Sequence, residues 1–102
     1  MRLNRRKTKT DMAITELYQT ILDRKEHPTE RSYTSSLFAA GLPRMAQKVG
    51  EEATEVVVAA LSQENARLVE ELADLAYHVL VLMAAKGVSP QDVAQELEKR
   101  KR

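Results

Sequence analysis

Apolar residues recur along this chain at helical spacing and nowhere alternate as they would in a strand. Ile14, Leu17, Tyr18, Ile21 and Leu22 keep a 3.6-residue period behind Asp11, which is placed to cap a helix that Pro28 closes. The spacing predicts a short helix over Thr34 to Ala40, ended by Gly41. Pro43 suits the first turn of a long helix running to about Leu61, and Ser62 to Asn65 form a connection. A second long helix follows to Gly87, a natural residue just past a helix end. Ser89-Pro90-Gln91-Asp92 reads as a cap opening a last short helix through Leu97. With three Gly and three Pro in 102 residues, little else interrupts helices, so the expected fold is an all-α bundle of about four to five helices.

The two long helices carry the informative faces. At 100° per residue, Met45, Val49, Val56 and Ala60 share a stripe. Glu52 lies at its edge, Lys48 and Glu55 slightly further round, and Glu51 points well away. On the second long helix Leu68, Leu72, Leu75, Val79 and Leu82 form the expected core stripe. Leu80, Val81 and Met83 make its second half apolar almost all round, as in a helix buried on most sides. Its polar exception is a narrow wedge of Glu71, Asp74 and His78.

Packed antiparallel through the short connection, the two helices would bring Glu52, Glu55, Glu71 and Asp74 together. Carboxylates gathered in a half-buried place raise one another's pKa unless a cation compensates. Hard oxygen donors suit Mg²⁺, which commonly takes substrate phosphates as further ligands. The same spacing also describes two solvated faces, with Lys48 an i,i+4 partner of Glu52. His78 likewise reads either as a group near the metal and substrate or as a hydrogen-bonded histidine at a helix interface.

Charge sharpens this picture. The formal net charge is +1, yet five basic residues fall in the first nine positions and four in the last four. The body from Asp11 to Glu98 holds all fifteen acids against seven bases, a net of −8. Between Glu51 and Asp74 seven acids face one base, Arg67. Basic ends can bind nucleic acid electrostatically, but the acidic body and 4% aromatic content argue against it, and no nucleic-acid partner is expected. Residues 1–10, basic and nearly without apolar content, are expected to be a disordered extension, with residues 11–102 a single domain. No apolar run reaches the roughly 18 residues of a membrane span, and zero Cys removes disulfides and thiolate chemistry. A cytoplasmic protein without a membrane partner is expected.

Lys48-Val49-Gly50-Glu51-Glu52-Ala53-Thr54-Glu55, then Glu71-Leu72-Ala73-Asp74 and Tyr77-His78, resembles the all-α nucleotide pyrophosphohydrolase superfamily, the MazG and dimeric dUTPase group. Ser32-Tyr33-Thr34 before a Leu-Phe helix, Gly41-Leu42 leading to Arg44, and Leu75 to Leu82 narrow the resemblance to its phosphoribosyl-ATP pyrophosphohydrolase family, over about residues 13 to 100. A departure is Arg31, where relatives often carry a small residue.

The resemblance implies a MazG-like bundle completed by dimerisation, which agrees with a second long helix that one small chain would struggle to cover. It implies Glu52, Glu55, Glu71 and Asp74 as Mg²⁺ ligands. The implied reaction splits phosphoribosyl-ATP into phosphoribosyl-AMP and pyrophosphate, the second step of histidine biosynthesis. Glu55 and Glu51 are the candidate proton acceptors. Lys48 and Arg44 would neutralise phosphates, and Ser32, Tyr33, Thr34 and His78 would meet the substrate. A broad nucleoside triphosphate pyrophosphatase, or a non-catalytic helical interaction module, are the alternatives.

Overall fold

The computed structural model describes residues 9–101, which form five helices: α1 (Lys9–Glu26), α2 (Tyr33–Ala40), α3 (Leu42–Ser62), α4 (Asn65–Lys86) and α5 (Pro90–Lys99). No strand occurs among the described residues, so the chain is all-α as expected. Lys9 and Thr10 already belong to α1, so Asp11 lies within the helix rather than capping it. The predicted disordered extension falls on residues outside those described, apart from Lys9 and Thr10, which are helical.

The helix ends follow local chemistry. The Ser32 side chain accepts from the Ser35 N–H at 3.0 Å and starts α2. Buried Ser35 pins the preceding turn, its hydroxyl accepting from the Thr29 N–H and donating to the Arg24 carbonyl. Gly41, at φ 100°, ends α2 and starts α3 within one residue, a backbone turn that a side chain would resist. Gly87 closes α4 in the left-handed conformation at φ 73°. Ser89 and Asp92 form a reciprocal capping box on α5, with Pro90 inside it.

Tyr18, Ile21, Leu37, Met45, Leu80, Val81 and Ala84 form the core, where α1, α2 and the start of α3 meet the second half of α4. Two side chains of α1 hold the end of α4: Lys25 donates to the Ala84 carbonyl in its last turn at 3.1 Å, and Tyr18 to the Val88 carbonyl just past the helix at 2.8 Å. α3 and α4, joined only through Gln63 and Glu64, pack as an antiparallel hairpin.

That hairpin corrects the expected core stripe of α4. Glu71, His78, Leu80, Val81 and Ala84 are its buried residues, so two members of the polar wedge, Glu71 and His78, lie on the inward side while Asp74 is exposed. Leu68, Leu75, Val79 and Leu82 are only half-buried and Leu72 is exposed. On α3 the buried residues are Met45 and Ala59, with Val49 and Val56 half-buried and Ala60 exposed. Periodicity identifies residues that favour burial. It does not say whether the covering surface belongs to the same chain.

Candidate active site

Glu71 and Asp74, three residues apart on α4, face Glu52 on α3 across the hairpin. Each contributes a carboxylate oxygen, and the three oxygens lie within 4.8 Å of one another. Glu71 is buried, Glu52 half-buried and Asp74 exposed, so the group forms a shelf reaching from the interior to solvent. Three hard oxygen donors, open on one side, fit a divalent cation such as Mg²⁺ that keeps waters or substrate oxygens on its free positions. Glu55, the fourth expected ligand, is exposed and lies outside this group of three.

Two cations flank the carboxylates. The Lys48 ammonium sits 3.3 Å from Glu51 Oε1 and 3.4 Å from Glu52 Oε2, its side chain only 17% exposed. Burial alone would lower its pKa, but Glu51, then Tyr33 and Glu52, hold it above the ordinary value. On the far side, Arg67 Nη2 lies 2.5 Å from Glu71 Oε2 and Nη1 lies 2.9 Å from Glu70 Oε1. Glu70 first and Glu71 second raise the guanidinium pKa further.

Glu51 is turned away from the three carboxylates, as its helical position predicted. It accepts from Gln47 Nε2 at 2.9 Å, pairs with Lys48, and stands 3.9 Å from Arg44 Nη1. Gln47 and then Lys48 hold its carboxyl below the usual range. Arg44 is exposed at the start of α3, within reach of ligand from solvent.

The start of α2 packs beside this shelf. The buried ring of His78 has Nδ1 2.8 Å from the backbone carbonyl of Asp74, which can only accept, so that nitrogen is the donor. Nε2 and the Tyr33 hydroxyl are hydrogen-bonded at 3.1 Å. Thr34 is hydrogen-bonded to the Tyr77 hydroxyl, and Tyr33 stacks on Tyr77 with centroids 6.2 Å apart. Burial raises the Tyr77 pKa, so the phenol stays protonated. Tyr33 remains exposed, and Ser32 is committed to capping α2. The structure thus gathers Lys48, Glu52, Glu71, Asp74, His78, Tyr33 and Thr34 around the α3–α4 hairpin. Arg67 was missed as a site residue; its position four residues before Glu71 was the available signal.

The chain is therefore all-helical, consistent with a MazG-like bundle, and carries an acidic shelf in its α3–α4 hairpin. Residues 14–101 match the family described as phosphoribosyl-ATP pyrophosphohydrolase. The phosphoribosyl-ATP pyrophosphatase of Sulfurisphaera tokodaii is 55% identical over 84 residues, 82% of this chain and 89% of that protein. Those of Saccharolobus solfataricus and Sulfolobus acidocaldarius are 48% and 52% identical, over 87% and 89% of this chain and 95% and 96% of theirs. The chain belongs to the phosphoribosyl-ATP pyrophosphohydrolase family, and so to the hydrolases.

Proposed function

We propose that this chain hydrolyses phosphoribosyl-ATP to phosphoribosyl-AMP and pyrophosphate with Mg²⁺, as the second step of histidine biosynthesis in the cytoplasm. The observation that carries the reading is the approach of Glu52, Glu71 and Asp74 to within 4.8 Å. Names borne by relatives about half identical over most of the chain support the substrate.

Glu52, Glu71 and Asp74 would hold the ion. When bound, it would neutralise charge developing as the α–β anhydride breaks and polarise triphosphate oxygens. The chain's own residues do the rest. Lys48, kept cationic by its surroundings, offsets negative charge beside Glu52, and Arg44 receives phosphate oxygens at the solvent edge with a planar fork. Water cleaves the anhydride, its oxygen passing to one product and its proton to a carboxylate. Glu51 and Glu55 stand outside the three-carboxylate group. Glu51 is engaged by Gln47, Lys48 and Arg44, which favours Glu55 as the base. Tyr33 and Thr34, held by His78 and Tyr77, present the start of α2 to the phosphoribosyl end.

The protein acts as a homodimer in this reading. Val57, Val58 and Leu61 of α3 and Val69 and Leu72 of α4 are exposed, Leu61 by 82%. A second protomer would cover this apolar face of the hairpin.

The test is incubation with Mg²⁺ and either phosphoribosyl-ATP or a panel of ordinary nucleoside triphosphates, following pyrophosphate. Release from phosphoribosyl-ATP alone is the expected result. Release from ordinary triphosphates alone would favour a broad pyrophosphatase, and release from none would leave a non-catalytic module.

A further inference from the structure

Arg67 is the single base between Glu51 and Asp74, one turn ahead of Glu71 on α4. Its guanidinium bridges two very different environments. Nη2 reaches Glu71, whose side chain is 4% exposed, while the arginine side chain is itself 52% exposed and holds the solvated Glu70 through Nη1. A buried carboxylate beside two others requires a counter-charge. Lys48 supplies one to Glu52, and Arg67 supplies one to Glu71.

A divalent cation among the three carboxylates changes this balance. The ion itself would compensate Glu71 and would repel a guanidinium at such close range. Glu70 offers Arg67 an exposed partner to retain, and a half-exposed arginine can turn outward without disturbing the core. The freed fork matches two phosphate oxygens, which a lysine at this place would not do.

We propose that Arg67 is a displaceable counter-ion and a further phosphate-binding residue: it neutralises Glu71 in the metal-free protein and is released by the cation to hold the pyrophosphate end of the substrate. This rests on reading Glu52, Glu71 and Asp74 as the cation site. Lys48 and Arg67 would then embrace the polyphosphate from opposite helices of the hairpin.

The experiment titrates Mg²⁺ calorimetrically into the wild type, Arg67→Met and Arg67→Lys without nucleotide, then inorganic pyrophosphate into each Mg²⁺-loaded protein. Arg67→Met should bind Mg²⁺ severalfold more tightly and pyrophosphate on the order of tenfold more weakly. Arg67→Lys, which keeps the charge and loses the fork, should fall between for both ligands. Thermal unfolding adds a readout that an unreleased pair would not give. Arg67→Met should be destabilised in chelator, with the deficit vanishing at saturating Mg²⁺. Mg²⁺ affinity unchanged or weakened in Arg67→Met, pyrophosphate affinity unaffected, or a deficit that persists with Mg²⁺ would each overturn the role of Arg67 alone. Failure of the wild type to bind Mg²⁺ would overturn the cation site and this role together.

Discussion

The Tyr33 hydroxyl and His78 Nε2 lie 3.1 Å apart, and the same imidazole is held through Nδ1 by the carbonyl of Asp74. One ring therefore couples the start of α2 to the acidic turn of α4. A partly buried hydrogen bond of this kind contributes about 1 kcal/mol. Tyr33→Phe should lower stability in urea unfolding by that amount and raise KM more than it lowers kcat. Combined with His78→Gln, the losses should fall short of their sum. Additive losses would mean that the two side chains act separately.

Asp74 is exposed and shares a small space with two other carboxylates. Asp74→Asn removes one repelling charge while leaving the backbone carbonyl that holds His78. In chelator the variant should melt at the wild-type temperature or slightly above it. Added Mg²⁺ should stabilise the wild type, by binding only the folded state, and leave the variant unmoved. Differential scanning calorimetry with and without Mg²⁺ makes the comparison.

Lys48 has a folded pKa raised above its ordinary 10.5, an increase carried by Glu51, Tyr33 and Glu52 against the opposing effect of burial. A raised lysine pKa gives stability that is complete below the unfolded value and is lost as pH rises through the folded one. In metal-free protein the stability gap between wild type and Lys48→Met should therefore stay level from about pH 7 to 9. It should shrink only above about pH 10.5. A gap that shrinks near neutrality would mean that the ammonium is not held in this way.

The helical periods, both glycine stops and the cap at Ser89 were all legible in the sequence, because each depends on residues close together along the chain. The separation of Glu52 from Glu51 was legible for the same reason. What spacing could not supply was the choice of partner surface. Leu72 belongs to the most regular apolar stripe of α4, yet it is 45% exposed while neighbouring Glu71 is buried. The Tyr33–His78 bond spans 45 positions and depends on how α2 docks, and Arg67 reads as an ordinary surface base until Glu71 is seen to be buried.

The outward stripe gives its own test. Leu72→Glu and Leu61→Glu should convert a dimer to monomers in sedimentation velocity while the helical circular dichroism is retained. A wild type that sediments as a monomer would remove the second protomer from the account.

The most direct measurement is pyrophosphate release from phosphoribosyl-ATP as Mg²⁺ is raised from zero, in the wild type and in Glu71→Gln. Release that is absent without the ion, saturates with it in the wild type and is lost by at least a hundredfold in the variant is the predicted result, roughly 3 kcal/mol of transition-state stabilisation. Release without a divalent cation, or undiminished in Glu71→Gln, would contradict it.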